Sequence, residues 1–136
     1  MRIQWGDPFV TGNGLVDHQH LALFEAINGF DEALEAGVAP QRIDEMLAFL
    51  ERYTIEHFAT ETFLMVRADF PALVPHQAEH ERLLARVKFI RDLRRQDPAL
   101  VPAEGLGKFL GEWLQNRILV WDLALFRYLK HHPVEG

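Results

Sequence analysis

The sequence predicts an all-α protein: an antiparallel up-down-up-down four-helix bundle behind an irregular N-terminal arm. Apolar side chains recur in steps of three and four along four long segments, the spacing of one helix face. Short proline-bearing turns separate those segments, and no stretch of useful length alternates apolar with polar residues as a half-buried strand would. Long helices joined by short links pack as antiparallel neighbours.

Residues 1–16, through TGNG, read as a turn-rich arm. The first helix is expected over about 17–36, with Asp17 as N-cap and Gly37 and Pro40 closing the link. The second is expected over about 41–67, ended by ADFPALVP, and the third over about 76–95, broken by QDPALVPAEG. The fourth is expected over about 106–130, stopping before Pro133.

Composition narrows the function. A chain of 136 residues fits one domain with a real core. A formal net charge of -6 argues against a nucleic-acid backbone or an anionic membrane surface as partner. With no cysteine, disulfides, iron–sulfur clusters and thiolate zinc sites are excluded. The opening MRIQWGDPFV lacks the pattern of a signal peptide, and no apolar run approaches the roughly 20 residues of a membrane span. A soluble cytoplasmic protein is expected.

The inward stripes carry the chemistry. The first helix presents His20, Phe24, Ile27 and Leu34, with Asp31 interrupting near its far end. The second presents Ile43, Leu47, Leu50, Thr54, His57, Glu61 and Leu64, and the third His76, His80, Leu83, Val87 and Ile90. The fourth runs Leu106, Leu110, Trp113 and then Arg117, a permanent cation on a core position. Alternating helix directions bring His20, His57, Glu61, His76, His80 and Arg117 to one end of the bundle. A lone histidine on an apolar face is commonly a satisfied core residue. Four at matching levels on three helices, with a carboxylate one turn from His57, would leave too many buried polar groups unpaired, at about 1–3 kcal/mol each. Imidazole and carboxylate are natural ligands for iron, manganese or zinc, and a two-metal centre is the expected form.

The chain resembles the bacterial hemerythrins nearly end to end. The Trp5 segment resembles the family's lead-in and VDHQHLALF its first-helix motif. HFATE matches HFxxE, HQAEH matches HxxxH, and WLQNRILVWD matches WLxxHIxxxD in every fixed place but one. The resemblance implies a four-helix bundle with a non-haem di-iron centre, bridged by carboxylates and an oxo or hydroxo group, that binds O2 for carriage, storage or delivery. It implies that His20 and His57 ligate the iron with the open position and that His76 and His80 ligate the other. Glu61 and Asp122 would bridge the two. Asp122 lies at the matching level of the fourth helix but rests more on the resemblance than on periodicity, since five residues separate it from Arg117, about 140° around an ideal helix.

Arg117 stands where the family has its fourth-helix histidine ligand. Guanidinium has no acceptor lone pair and cannot ligate. Three readings follow. Both irons bind with a vacancy on the second; or Arg117 pairs with Asp122 or Glu61 and supplies charge in place of one metal, leaving mononuclear iron; or its head reaches solvent or another carboxylate, such as Glu112 or Asp69. The expected ligands are O2 or small anions and peroxide. An oxidase or peroxidase-type enzyme and an iron- or oxygen-responsive binding module are the alternatives. Of the remaining conspicuous residues, His18 is expected at the surface and His131 and His132 beyond the last helix. Trp113, Trp121, Phe24, Phe58 and Phe63 are expected in the core.

Overall fold

The chain enters its first helix earlier than the cap residues suggest. In this computed structural model, which describes residues 6, 9–37 and 39–132, α1 spans Gly14–Glu35 and is capped by Asn13, whose side chain accepts from the Val16 amide at 3.0 Å. Asp17 is therefore not the N-cap. It sits in the first turn, where its carboxylate accepts from the Thr11 amide and hydroxyl, both at 2.8 Å, and from the Gly12 amide at 3.3 Å. Asn13 and Asp17 are both capping residue types; the burial of Val16 selects the earlier start. Gly12, at φ +88°, makes the turn that brings the arm back onto Asp17. Trp5 and Pro133 lie outside the described residues.

A 3-10 turn, Ala39–Arg42, leads into α2, Ile43–Arg67. Helix α3, Leu73–Gln96, starts three residues before His76 because Pro75 falls in its first turn, where the missing N–H has no helical partner to lose. A second 3-10 turn, Pro98–Leu100, precedes α4, Ala103–Asn116. The last rod then continues without a break through a π-helical stretch, Arg117–Asp122, into α5, Leu123–His131.

Neighbouring rods run antiparallel. Arg94 pairs with Asp44 and Arg91 with Glu51, while His80 meets Glu61, so α3 descends as α2 rises. His20 meets both His57 and Asp122, setting α1 against α2 and against the last rod. At the other end α1 and α4 approach closely at Gly107, where a Cβ would stand 2.7 Å from Leu34. The described residues are helical rods and turns, and no helix among them is long and apolar enough to cross a membrane.

Two apolar clusters fill the bundle. The larger gathers Leu23, Phe24, Ile27, Leu47, Leu50, Leu110 and Trp113 among others. The smaller gathers Val16, Met65, Phe70, Leu125 and Phe126. On each rod the polar residues at 20, 57–61, 76–80 and 117–122 fall between them, so the polar layer is walled on both sides by hydrocarbon.

Phe63 is not a core residue: 55% of it is exposed, with the Arg67 guanidinium 5.4 Å from its ring. It follows Glu61 by two positions, about 200° around the helix, and so faces outward. Trp121 is half-buried, edge-on to His76 with centroids 5.9 Å apart. Phe24, Phe58 and Trp113 are buried, and His18 is exposed.

Candidate metal centre

Seven polar side chains meet in the buried layer. His20, His57, Glu61 and Asp122 are fully enclosed, and His76, His80 and Arg117 are no more than 2% exposed. Two groups of donors stand out among the described residues: His20, His57 and Asp122, and Glu61, His76 and His80. In the first, Asp122 Oδ2 lies 2.9 Å from His20 Nε2 and 3.1 Å from His57 Nε2, with 3.3 Å between the two nitrogens. In the second, Glu61 Oε1 lies 2.9 Å from His80 Nε2 and 3.4 Å from His76 Nε2. Each carboxylate also faces across, Glu61 to His57 at 3.5 Å and Asp122 to His76 at 3.7 Å.

The π stretch is what admits Asp122. Its hydrogen bonds run i to i+5, so residues five apart share a face that an α-helix would splay by 140°. Arg117 and Asp122 therefore point at the same cluster.

Arg117 does not reach solvent, Glu112 or Asp69. Its Nη2 donates to Glu61 Oε1 at 2.9 Å and lies 3.4 Å from His76 Nε2, while Nε is 3.5 Å from Asp122 Oδ1. The guanidinium lies over Phe58, 4.7 Å from its centroid, and Phe58 stacks on His80 at 3.9 Å and 9°. One ring thus fixes both the cation and an imidazole.

A short relay fixes His57. The Thr60 hydroxyl donates to the Glu56 carbonyl, so its oxygen is free to accept from the Gln19 amide nitrogen at 3.3 Å. That leaves the Gln19 carbonyl oxygen for His57 Nδ1–H, at 2.8 Å. In the neutral ring, Nε2 then turns a lone pair toward the Asp122 carboxylate. Two acceptors at 3.1 Å need a proton or a cation between them. The first group is thus built for a positive ion, and its donors fit a divalent metal. Replacing Gln19 with leucine should weaken metal binding by roughly 10–100-fold while leaving the fold intact, as read by titration with Co2+.

The charges confirm the crowding. Burial pushes Asp122 up, but Arg117 and hydrogen bonds from His20 and His57 hold its carboxyl well below the usual range. Burial and Asp122 likewise push Glu61 up, and His57 with hydrogen bonds from His76 and His80 bring it below its ordinary value. Burial would lower His57, but Glu61 and Asp122 raise it. His80 is pushed down to about 4, chiefly by burial, against the pull of Glu61. Burial and the charges of Asp122 and Glu61 put Tyr53, stacked on His57 at 5.1 Å, well above its usual range.

A pH dependence follows for the metal-free protein. His80 favours its neutral form in the fold, so its contribution is complete above about 6.5 and is lost as pH falls toward 4. The depressed carboxyls of Asp122 and Glu61 lose theirs at lower pH still. His57 acts oppositely, contributing below its ordinary value and fading as pH rises through its raised one. Urea midpoints in the presence of EDTA should fall between pH 6.5 and 4, and a His80→Gln variant should flatten that fall.

Every candidate from the sequence lies in this layer. Gln19 and Tyr53 were not legible there. Gln19 lies 100° from His20 and looks like a surface residue, and its partner Thr60 is 41 positions away.

A family model described as the hemerythrin HHE cation binding domain matches residues 11–129. A bacteriohemerythrin of Ralstonia nicotianae is 31% identical over 127 residues, covering 93% of this chain and 88% of its own length. One of Pseudomonas aeruginosa is 33% identical over 131 residues, 96% of this chain and 84% of its own. A myohemerythrin of Riftia pachyptila is 31% identical over 115 residues, 84% and 82% of the two chains. Hemerythrins bind non-haem iron, and the buried histidine and carboxylate groups here could hold such a metal. With the family's pattern running from the arm to the last helix, and relatives similar along most of their own length, the chain belongs to the hemerythrin family.

Proposed function

We propose that this chain is a non-haem iron protein whose buried centre takes up O2 or a small anionic ligand such as peroxide. The observation that carries the proposal is the group of His20, His57 and Asp122, enclosed, with His57 oriented by Gln19 and its inward nitrogen 3.1 Å from a carboxylate. Iron held there supplies an exchangeable coordination position and the electrons that O2 uptake draws on. The chain's own residues do the rest. His20 and His57 present ring nitrogens inward, and Asp122 offsets positive charge. The apolar clusters on either side keep bulk water from a bound ligand. Arg117 Nη1 has no hydrogen-bond partner among the described residues, and such a buried donor suits an anion.

Cycling the iron-loaded protein between air and nitrogen tests the reading. A reversible change in near-ultraviolet and visible absorption supports O2 binding. Steady consumption of peroxide with a reductant supports an enzyme instead. An iron-loaded protein whose spectrum responds to neither O2, azide nor peroxide overturns the proposal.

A further inference from the structure

The second donor group is already occupied by a cation of the chain's own. Arg117 Nη2 donates to Glu61 Oε1 at 2.9 Å and faces His76 Nε2 at 3.4 Å, two of the three atoms a metal would need there. Glu61 spends a lone pair on a guanidinium hydrogen, and the guanidinium cannot shed its proton to make room. It cannot swing away either, being 2% exposed and held over Phe58, which also stacks on the His80 ring.

Charge points the same way. Two buried carboxylates against one guanidinium and one divalent ion leave a single positive charge in the layer. A second divalent ion would raise that to three, with no described acidic side chain besides Glu61 and Asp122 among the buried groups that meet there. In the first group His57 is oriented by Gln19, while the Nδ1 atoms of His20 there and of His80 in the second group both have no hydrogen-bond partner among the described residues.

We infer that Arg117 stands in place of a second metal, so that this chain holds one divalent ion, at His20, His57 and Asp122, and none at Glu61, His76 and His80. The inference rests on the metal-binding reading above and departs from the two-metal form that the family resemblance implies. A single ferrous ion gives one electron where a pair gives two, so a one-metal centre would not by itself reduce O2 to the peroxide level.

The test is metal stoichiometry, followed by titrating the metal-free full chain with Co2+, reading the visible d–d bands, and confirming by elemental analysis after gel filtration. One equivalent per chain is expected. His20→Ala should weaken that binding by about 100-fold or more, whereas His80→Ala should change it less than about threefold. Arg117→His should raise the count to two. Two equivalents in the unaltered chain overturn the inference and leave metal binding intact; none overturns both. Equal losses from His20→Ala and His80→Ala also overturn it, and that comparison does not depend on Arg117→His folding. So does a folded Arg117→His protein that still takes one.

Discussion

Replacing Glu61 with alanine is expected to lower the stability of the metal-free bundle by about 3–5 kcal/mol. Glu61 is fully enclosed, and its Oε1 accepts from Arg117 and His80, both at 2.9 Å. Taking the carboxylate away leaves the guanidinium only the longer contact to Asp122, 3.5 Å from its Nε, among the described carboxylates of a layer walled by hydrocarbon, and it cannot neutralise itself as a lysine would. The companion variant is Glu61→Gln with Arg117→Met, which removes both charges and keeps much of the volume. It should recover most of the loss, because an apolar replacement of a buried pair is often neutral or better. Recovery will be partial, since His76 and His80 also face Glu61. Urea unfolding with EDTA present reads all three proteins. A Glu61→Ala loss below about 1 kcal/mol would mean that Asp122 alone suffices as the counter-charge of Arg117.

Phe58→Ala is expected to have the next largest effect, about 3–5 kcal/mol, or a fall in Tm on the order of 10–20 °C. Phe58 is 5% exposed and belongs to the larger apolar cluster. Its ring also packs against the Arg117 guanidinium and the His80 imidazole, at 4.7 and 3.9 Å. Removing it opens a cavity beside a buried cation, so packing and charge suffer together. Phe63→Ala is the matching control. The same side chain is deleted five residues on, but Phe63 is 55% exposed, and the change should stay within about 0.5 kcal/mol. Calorimetry on the two variants separates them; equal shifts would refute the placement of the Phe58 ring.

These two phenylalanines show what a sequence can and cannot say here. His20, His57, Glu61, His76, His80 and Arg117 were legible because each sits on a stripe of apolar residues with regular helical spacing, and that regularity extends over several turns. The same spacing places Phe63 outward, two positions past Glu61, against the expectation that it lies in the core. Asp122 was beyond periodicity altogether. Its place depends on a π stretch, and nothing local in RILVWD distinguishes that from one more α turn. The start of α1 was decided by burial of Val16, a tertiary fact, rather than by the choice between Asn13 and Asp17 as caps. Gln19 was invisible for a related reason: its importance lies in a partner on another helix. The direction of Arg117 was left open by sequence, because a long side chain on a core position can pair or escape, and only packing decides.

The polar layer lies between two plugs of hydrocarbon, the one around Leu47 and Leu110 and the one around Met65 and Leu125. No donor in it is more than 2% exposed. An ion held there has no standing path to a chelator. Its release is therefore timed by transient opening of the bundle, and the rate of extraction should level off at high EDTA, at the rate at which the slowest backbone amides beside His57 exchange with deuterium oxide. Loading would face the same gate, so apoprotein mixed with metal should fill over the lifetime of the closed bundle rather than at the speed of diffusion. The centre would behave as a slow store of its metal, whatever the equilibrium affinity.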